Sequence, residues 1–357
     1  SKDLGPLAQI PIGRLSVVNG DELNNFLDKL KQHEDLLNTS TSYQTVDKKG
    51  WTKNVLHLVA GGVVQPVVTG YMNDAARKIS DSLFGAKVFT IEKTSAASVE
   101  SGNNTQIDQL FQNGLGVVNY FGHSSLNAME FNLDDPGRFN NQGKYPLFLA
   151  NACTAGNNFF YDSLRIASTK KSISEAYLLE PQKGSIAFIA STHYGILMNL
   201  NDFIQRFYDR LGKTNYDKSL GEIQLQTMAL LQKDFGFISN NLITMEQIQL
   251  HGDPATRLFP HPKPDYVVED PMVMVSPMPL TISESYYELK IFIRNIGRAQ
   301  KDSVKVLVKR DRSDGTSESI IVNFASILYG DSIQLKFPLD PKKDIGIQSI
   351  AVTVDPD

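Results

Sequence analysis

GLGVVNYFGH at residues 114–123 and YPLFLANAC at residues 145–153 are two continuous apolar runs, each closing on a residue type that carries chemistry. Apolar side chains at successive positions mark a strand covered on both faces, the habit of parallel sheets. Working outward, similar runs occur at NVLHLVAGG (54–62), AKVFTIE (86–92) and GSIAFIAST (184–192), with a shorter one, IPIGRL, at 10–15. Helical patterns fill the intervals. Leu23, Phe26, Leu27 and Leu30 share a helical face within 21–33, with Asp21 as a cap candidate, and Ile107, Leu110 and Phe111 share one within 105–113. Further helices are predicted over 73–84, 174–179, 201–211 and 219–231. Strands alternating with helices predict an α/β domain over residues 1–262, a mainly parallel sheet flanked by helices.

The pattern changes at PHPKPDYVVEDP (260–271), where four prolines punctuate the chain. Beyond it YYELKIFIRNIG, SVKVLVKRD, SESIIVNFASI, DSIQLKFPLD and GIQSIAVTVD alternate at period two, with turn residues between them. Residues 263–357 are therefore read as a linker and a small all-β sandwich. Composition narrows the rest. The 357 residues carry 35 basic and 39 acidic side chains, net charge -4, so no cationic surplus exists to neutralise nucleic-acid phosphates. One cysteine supplies neither a disulfide framework nor a structural zinc site, and no metal or cofactor is expected. No apolar run reaches the roughly 18 residues of a membrane span. The chain opens at Ser1 with neither a methionine nor a signal-like segment, which is read as a piece of a longer precursor.

Two positions stand out chemically. VVNYF leads into Gly122-His123-Ser124-Ser125, and LFLANA leads into Cys153-Thr154-Ala155-Gly156. In open α/β sheets ligands bind at the carboxyl ends of strands, where each of these side chains would emerge. A thiol and an imidazole on neighbouring strand ends can serve as nucleophile and general acid/base. Gly122 and Gly156 would permit sharp turns and close backbone approach. The plainer alternative is packing, since a free cysteine behaves as a small buried hydrophobe and a histidine after a strand as a turn residue.

These strings resemble the gingipain family of cysteine peptidases, whose members share the caspase-like fold. IPIGRL and the helix after it are similar to the family's opening "IAIGRL", and VVNYFGHSS to its histidine motif "NYTGHG". LFLANACTAG resembles the apolar block ending in the nucleophilic cysteine. KGSIAFIAST and LGEIQLQTMAL resemble later elements, and QLHGDPATRLFP the closing "LLGDPALRL". Several segments look closest to the sortase-like peptidase of the type IX secretion system. The resemblance implies a secreted or cell-surface enzyme acting on polypeptides, with Cys153 as nucleophile and His123 as general acid/base. Backbone around Gly122, Ser124 and Cys153 would form the oxyanion site. The C-terminal strings LKIFIRNIGRAQKDSVKVLV and IQSIAVTVDPD resemble CARDB-like immunoglobulin-type modules of bacterial surface proteins, a spacer or adhesion unit.

Three departures from the family pattern matter. Ser124 stands where the family has glycine, raising the prospect of a crowded oxyanion site or a positive φ. Residues 54–73 contain no Asp, Glu, Lys or Arg, so no acid from that stretch holds a basic P1 side chain or orients His123. The family's N-terminal subdomain is absent from the chain. A catalytically inactive peptidase-fold scaffold is the competing reading. Thr192, His193 and Tyr194 follow a strand and are candidates for a substrate-binding wall. His57 reads as a core histidine, Asp253 after His251 as a turn former, Asp134-Asp135 as an exposed acidic loop rather than a calcium site, and NGDELNN (19–25) as a helix start.

Overall fold

The computed structural model describes residues 7–38, 44–159, 171–236, 238–281 and 283–355, so Ser1 and the last two residues of the closing string lie outside the described residues. Its contacts divide the chain into two units: Ser1–Ser42 with Trp51–Pro260, and Tyr43–Gly50 with His261–Asp357.

The first unit is built on six strands, β1 (Asn54–Val59), β2 (Lys87–Glu92), β3 (Val117–Phe121), β4 (Leu147–Asn151), β5 (Ala187–Ser191) and β6 (Ile248–His251). Their order across the sheet is β2-β1-β3-β4-β5-β6. Every neighbouring pair is parallel except β5 and β6. Helices α1 (Gly20–Asn38), α2 (Gln65–Ser80), α3 (Asn104–Asn113), α4 (Ile173–Leu179), α5 (Leu197–Asp209), α6 (Leu220–Phe235) and α7 (Ser239–Gln247) complete the unit. Successive strand residues serve two different cores. Val55, Val59, Val117, Phe121, Leu147 and Leu149 pack with α2, α5 and α6. Leu56, Leu58, Val118, Tyr120, Phe148 and Ala150 pack with α1, α3 and α4. A period-two strand clad on both faces must be apolar at every position, which explains the unbroken runs.

Helix starts follow local chemistry. Ser172 opens α4 and Ser219 opens α6, each in a capping box with the glutamate three residues on. α2 begins at Gln65, well before the predicted 73, because Pro66 presets the first turn. Two expectations for α1 are corrected. Its cap is Asn19, whose Oδ1 accepts the Glu22 N–H at 2.9 Å, while Asp21 lies in the first turn. Its buried face is Glu22, Phe26, Lys29 and His33, whereas Leu23 and Leu27 are exposed. Tertiary partners override the apolar stripe here, since Lys29 Nζ donates to the carbonyls of Tyr177, Lys183 and Ser185 at 2.9, 2.9 and 3.1 Å. The strand predicted at IPIGRL is also corrected: it reduces to one parallel bridge, Arg14 with His251, at the free edge of β6.

In the second unit a helical turn at Val46–Lys49 joins the later strands, with Lys49 Nζ 2.7 Å from Asp265 Oδ2. β7 (Tyr266–Val267), β8 (Val273–Ser276), β9 (Tyr286–Asn295), β10 (Val304–Asp311), β11 (Ser317–Phe324), β12 (Gly330–Pro338) and β13 (Ser349–Val354) form two antiparallel sheets. Their orders are β11-β10-β13 and β12-β9-β7, with β8 also paired to β9. Inward residues Leu289, Ile291, Val306, Val308 and Phe337 share one core. A buried Arg310 interrupts it, 2.6 Å from Asp344 Oδ1 and 3.0 Å from Glu318 Oε1.

Candidate active site at the strand ends

β3 and β4 run parallel with Phe121 opposite Asn151, so the residues after them leave one edge of the sheet side by side. His123 is exposed and Cys153 is partly buried. The two loops touch directly, because Ser124 Oγ donates to the Cys153 carbonyl. Ser124 is not among the non-glycine residues of positive φ; that conformation falls instead on Thr154, at φ 54°, immediately after the cysteine. A β-branched residue held there marks a strained turn at the candidate nucleophile. The turn is pinned to the next strand end by Thr154 N–H to His193 O at 2.9 Å and Gly156 N–H to Ser191 O at 3.0 Å.

The glycines act through closeness, since neither Gly122 nor Gly156 has a positive φ. A Cβ on Gly122 would fall 2.6 Å from Tyr120 Oη and 2.9 Å from Glu130 Oε2; one on Gly156 would fall 2.8 Å from His251 Nε2. The Gly122 N–H reaches Asn151 O at 3.5 Å across the strands.

Residues the sequence reading did not single out surround the histidine. Glu130 Oε2 accepts the His123 N–H at 2.8 Å, and Tyr120 Oη donates to the His123 carbonyl. The Glu130 N–H in turn donates to Tyr120 Oη at 3.2 Å. Lys93 Nζ, just past β2, lies 3.5 Å from Glu130 Oε1, and both side chains are largely covered. Burial holds the Tyr120 phenol far above its usual pKa, so it stays a hydrogen-bond donor. The one legible signal was Glu130 itself, a lone acid seven residues beyond His123 in an otherwise uncharged stretch.

Beneath the strand ends lies a chain of buried polar groups. Asn151 Nδ2 donates to Asn119 Oδ1 at 2.7 Å, and Asn119 Nδ2 donates to Tyr208 Oη at 3.0 Å. Tyr208 Oη is 3.0 Å from His57 Nε2. Burial pushes the His57 pKa down to about 3, keeping the ring neutral. His57 is thus a core histidine bonded through one nitrogen.

Thr192, His193 and Tyr194 follow β5 on the same edge as Cys153. The His193 and Tyr194 rings meet edge to face at 4.6 Å, and Tyr194, Ile196 and Met198 are exposed apolar groups. Asp253 forms its turn by accepting the Ala255 N–H at 2.8 Å, and Asp135 accepts that of Gly137 at 2.9 Å. Among the described residues no cluster of His, Cys, Asp and Glu is placed to hold a metal ion, and no helix is long and apolar enough to cross a membrane. A cavity of about 550 Å³ at the β6 edge, lined by Ile10, Phe159, Gln224, Met245 and Gln249 among others, includes none of these strand-end residues.

The model of Peptidase family C25 matches residues 3–259. The chain's structure is similar to the crystal structure of the Arg-specific cysteine proteinase gingipain R, with TM-score 0.55 and 17% identity over 92% of this chain and 68% of that one. It is similar to a complex of Porphyromonas gingivalis RgpB pro- and mature domains at TM-score 0.54 and 16% identity, covering 94% and 72%. A structure described as a protease matches at TM-score 0.51 and 13% identity, covering 98% and 79%. No curated protein sequence matches the chain. The mainly parallel, helix-flanked sheet is the gingipain-type caspase-like fold, followed by antiparallel sheets.

Proposed function

The chain belongs to peptidase family C25, and from that membership we propose that it is a cysteine peptidase using Cys153 as nucleophile and His123 as general acid/base. One observation carries the reading: Ser124 Oγ joins the histidine loop to the Cys153 carbonyl where two parallel strands end in register. The Cys153 thiolate attacks a peptide carbonyl carbon. The C–N bond then breaks as His123 protonates the departing amine, leaving a thioester. Main-chain N–H groups at Ser124 and Cys153 serve the developing oxyanion. His123 next takes a proton from water or from an incoming amine, the new C–O or C–N bond forms, and the C–S bond breaks to restore the Cys153 thiolate beside a protonated His123.

Thr192, His193 and Tyr194 form one wall of the substrate cleft. Exposed Tyr194, Ile196 and Met198 favour apolar over basic P1 side chains. Resemblance to the sortase-like members supports amine transfer in a bacterial secretion system, at or beyond the cell surface. The second unit is read as a CARDB-like immunoglobulin-type spacer or adhesion module.

A peptidyl acyloxymethyl-ketone probe tests the assignment. Wild-type chain is expected to be labelled at Cys153, and Cys153→Ala and His123→Ala are expected to abolish labelling. Labelling that survives Cys153→Ala overturns the nucleophile, and a wild type that reacts no faster than a free thiol favours the inactive scaffold. Supplying a peptide amine separates the last step, because strictly hydrolytic products rule out the sortase-like variant.

A further inference from the structure

His123 sits on an exposed loop, and general acid/base work requires its ring to stay within hydrogen-bond reach of the reacting atoms, about 3 Å. Resting on the peptidase reading above, we propose that Glu130 and Tyr120 are positioning residues for His123, gripping its main chain at both ends so that the imidazole faces Cys153. The grip is a closed ring of three hydrogen bonds. The His123 N–H goes to Glu130 Oε2, the Glu130 N–H to Tyr120 Oη, and the Tyr120 hydroxyl to the His123 carbonyl.

Each member of the ring is anchored from elsewhere in the fold. Tyr120 is a buried residue of β3, its ring edge-on to Phe131 at 6.3 Å. The Glu130 carbonyl accepts the Glu100 N–H at 2.7 Å, and Glu100 is itself fixed by accepting main-chain N–H groups of Thr94, Ser95 and Gly102. Lys93 faces the second Glu130 oxygen at 3.5 Å, and its own backbone is tied to Val59 O at 2.8 Å and to the Gln65 side chain at 2.9 Å. Three strand ends, those of β1, β2 and β3, therefore converge on one loop residue.

The chemistry favours a carboxylate at 130. An ionised acceptor makes a shorter, stronger bond to a main-chain N–H than a neutral one, and it can face Lys93 at the same time. Gly122 is part of the device, since any Cβ there would press on both Tyr120 Oη and Glu130 Oε2. The contacts that Glu130 and Tyr120 make come from behind the His123 loop and reach its backbone.

The test uses the full chain and the inactivation constants of the acyloxymethyl-ketone probe. Glu130→Ala is expected to lower kinact by about tenfold or more with KI within about twofold, because a displaced base slows chemistry and spares binding. Tyr120→Phe is expected to lower kinact by a smaller factor. Glu130→Gln, which keeps an acceptor oxygen at the same place, is expected to restore most of the rate. An unchanged kinact in Glu130→Ala overturns the proposal, as does Glu130→Gln matching Glu130→Ala, or a loss confined to KI. Should the wild type fail to react at all, the peptidase reading falls and hydrogen exchange decides this one. The His123 amide should exchange about tenfold or more faster in Glu130→Ala than in wild type or Glu130→Gln, and equal exchange in all three overturns the grip.

Discussion

Ser124 shows how one side chain changes meaning once its partner is known. In a glycine position it threatens the oxyanion site, yet its hydroxyl faces the Cys153 carbonyl and ties the two loops together. Thr154 then absorbs the turn at φ 54°. Removing the hydroxyl should loosen the tie without emptying the site. Ser124→Ala is expected to lose about 1 kcal/mol of stability, the usual worth of a hydrogen bond to a main-chain carbonyl. Urea unfolding measures it, and a midpoint equal to wild type would remove the tie from the account. Glu130 is the opposite case. Its type and spacing carry no motif, and only the fold brings its carboxylate onto the His123 amide.

Between elements, the decisive contact is the amide pair under the strand ends. Asn119 on β3 and Asn151 on β4 lock the two strands two residues below Cys153, and Tyr208 on α5 closes the chain toward His57 on β1. Asn151→Ala leaves the buried Asn119 Oδ1 without its donor, and Asn119→Ala leaves Asn151 Nδ2 only its longer bond to the Tyr120 carbonyl at 3.4 Å, so the second replacement costs less once the first is made. The double-mutant cycle of Asn119→Ala and Asn151→Ala is accordingly expected to show a coupling energy of about 1–2 kcal/mol; additivity within about 0.5 kcal/mol would dismiss the lock. Both asparagines lie inside runs that read as apolar strand, so their positions were legible and their pairing was not. Pairing depends on β3 and β4 being parallel neighbours in register, which no local pattern encodes. The same holds for α1, where Phe26 follows the predicted face but Lys29 and His33 turn inward to meet carbonyls far along the chain.

For the whole molecule, burial of neutral histidines sets the response to acid. Burial lowers the pKa of His57 to about 3 and that of His251 to about 4, with Arg14 adding to the second. The unfolded chain binds protons at both near pH 6.5 and the folded chain does not, so the stability that these two histidines contribute is full above that pH and falls as pH drops toward 4. Each histidine contributes a slope of about 1.4 kcal/mol per pH unit inside its window. Glu100, held near 2 by main-chain N–H donors, acts in the same direction below pH 4.5. Lys29, lowered by burial to about 7, adds a rise only above pH 7. Urea unfolding of the first unit at pH 7 and pH 5 is expected to show a large loss at the lower pH, shrinking in His57→Gln; a flat profile would mean that these rings are hydrated.

Sequence by itself determined the class of this protein. Unbroken apolar strands, helical spacing between them, and a cysteine and a histidine at two strand ends follow from local periodicity and from what a two-sided sheet demands of every residue. Tertiary structure alone decided the order β2-β1-β3-β4-β5-β6, the antiparallel edge strand, and the helix cap at Asn19 in place of Asp21. It alone joined Ser124 to Cys153 and set Tyr120, Glu130 and Lys93 around His123. The reason is physical: periodicity reports which face of an element is dry, while hydrogen bonds and ion pairs between distant residues exist only after the chain has packed and excluded water.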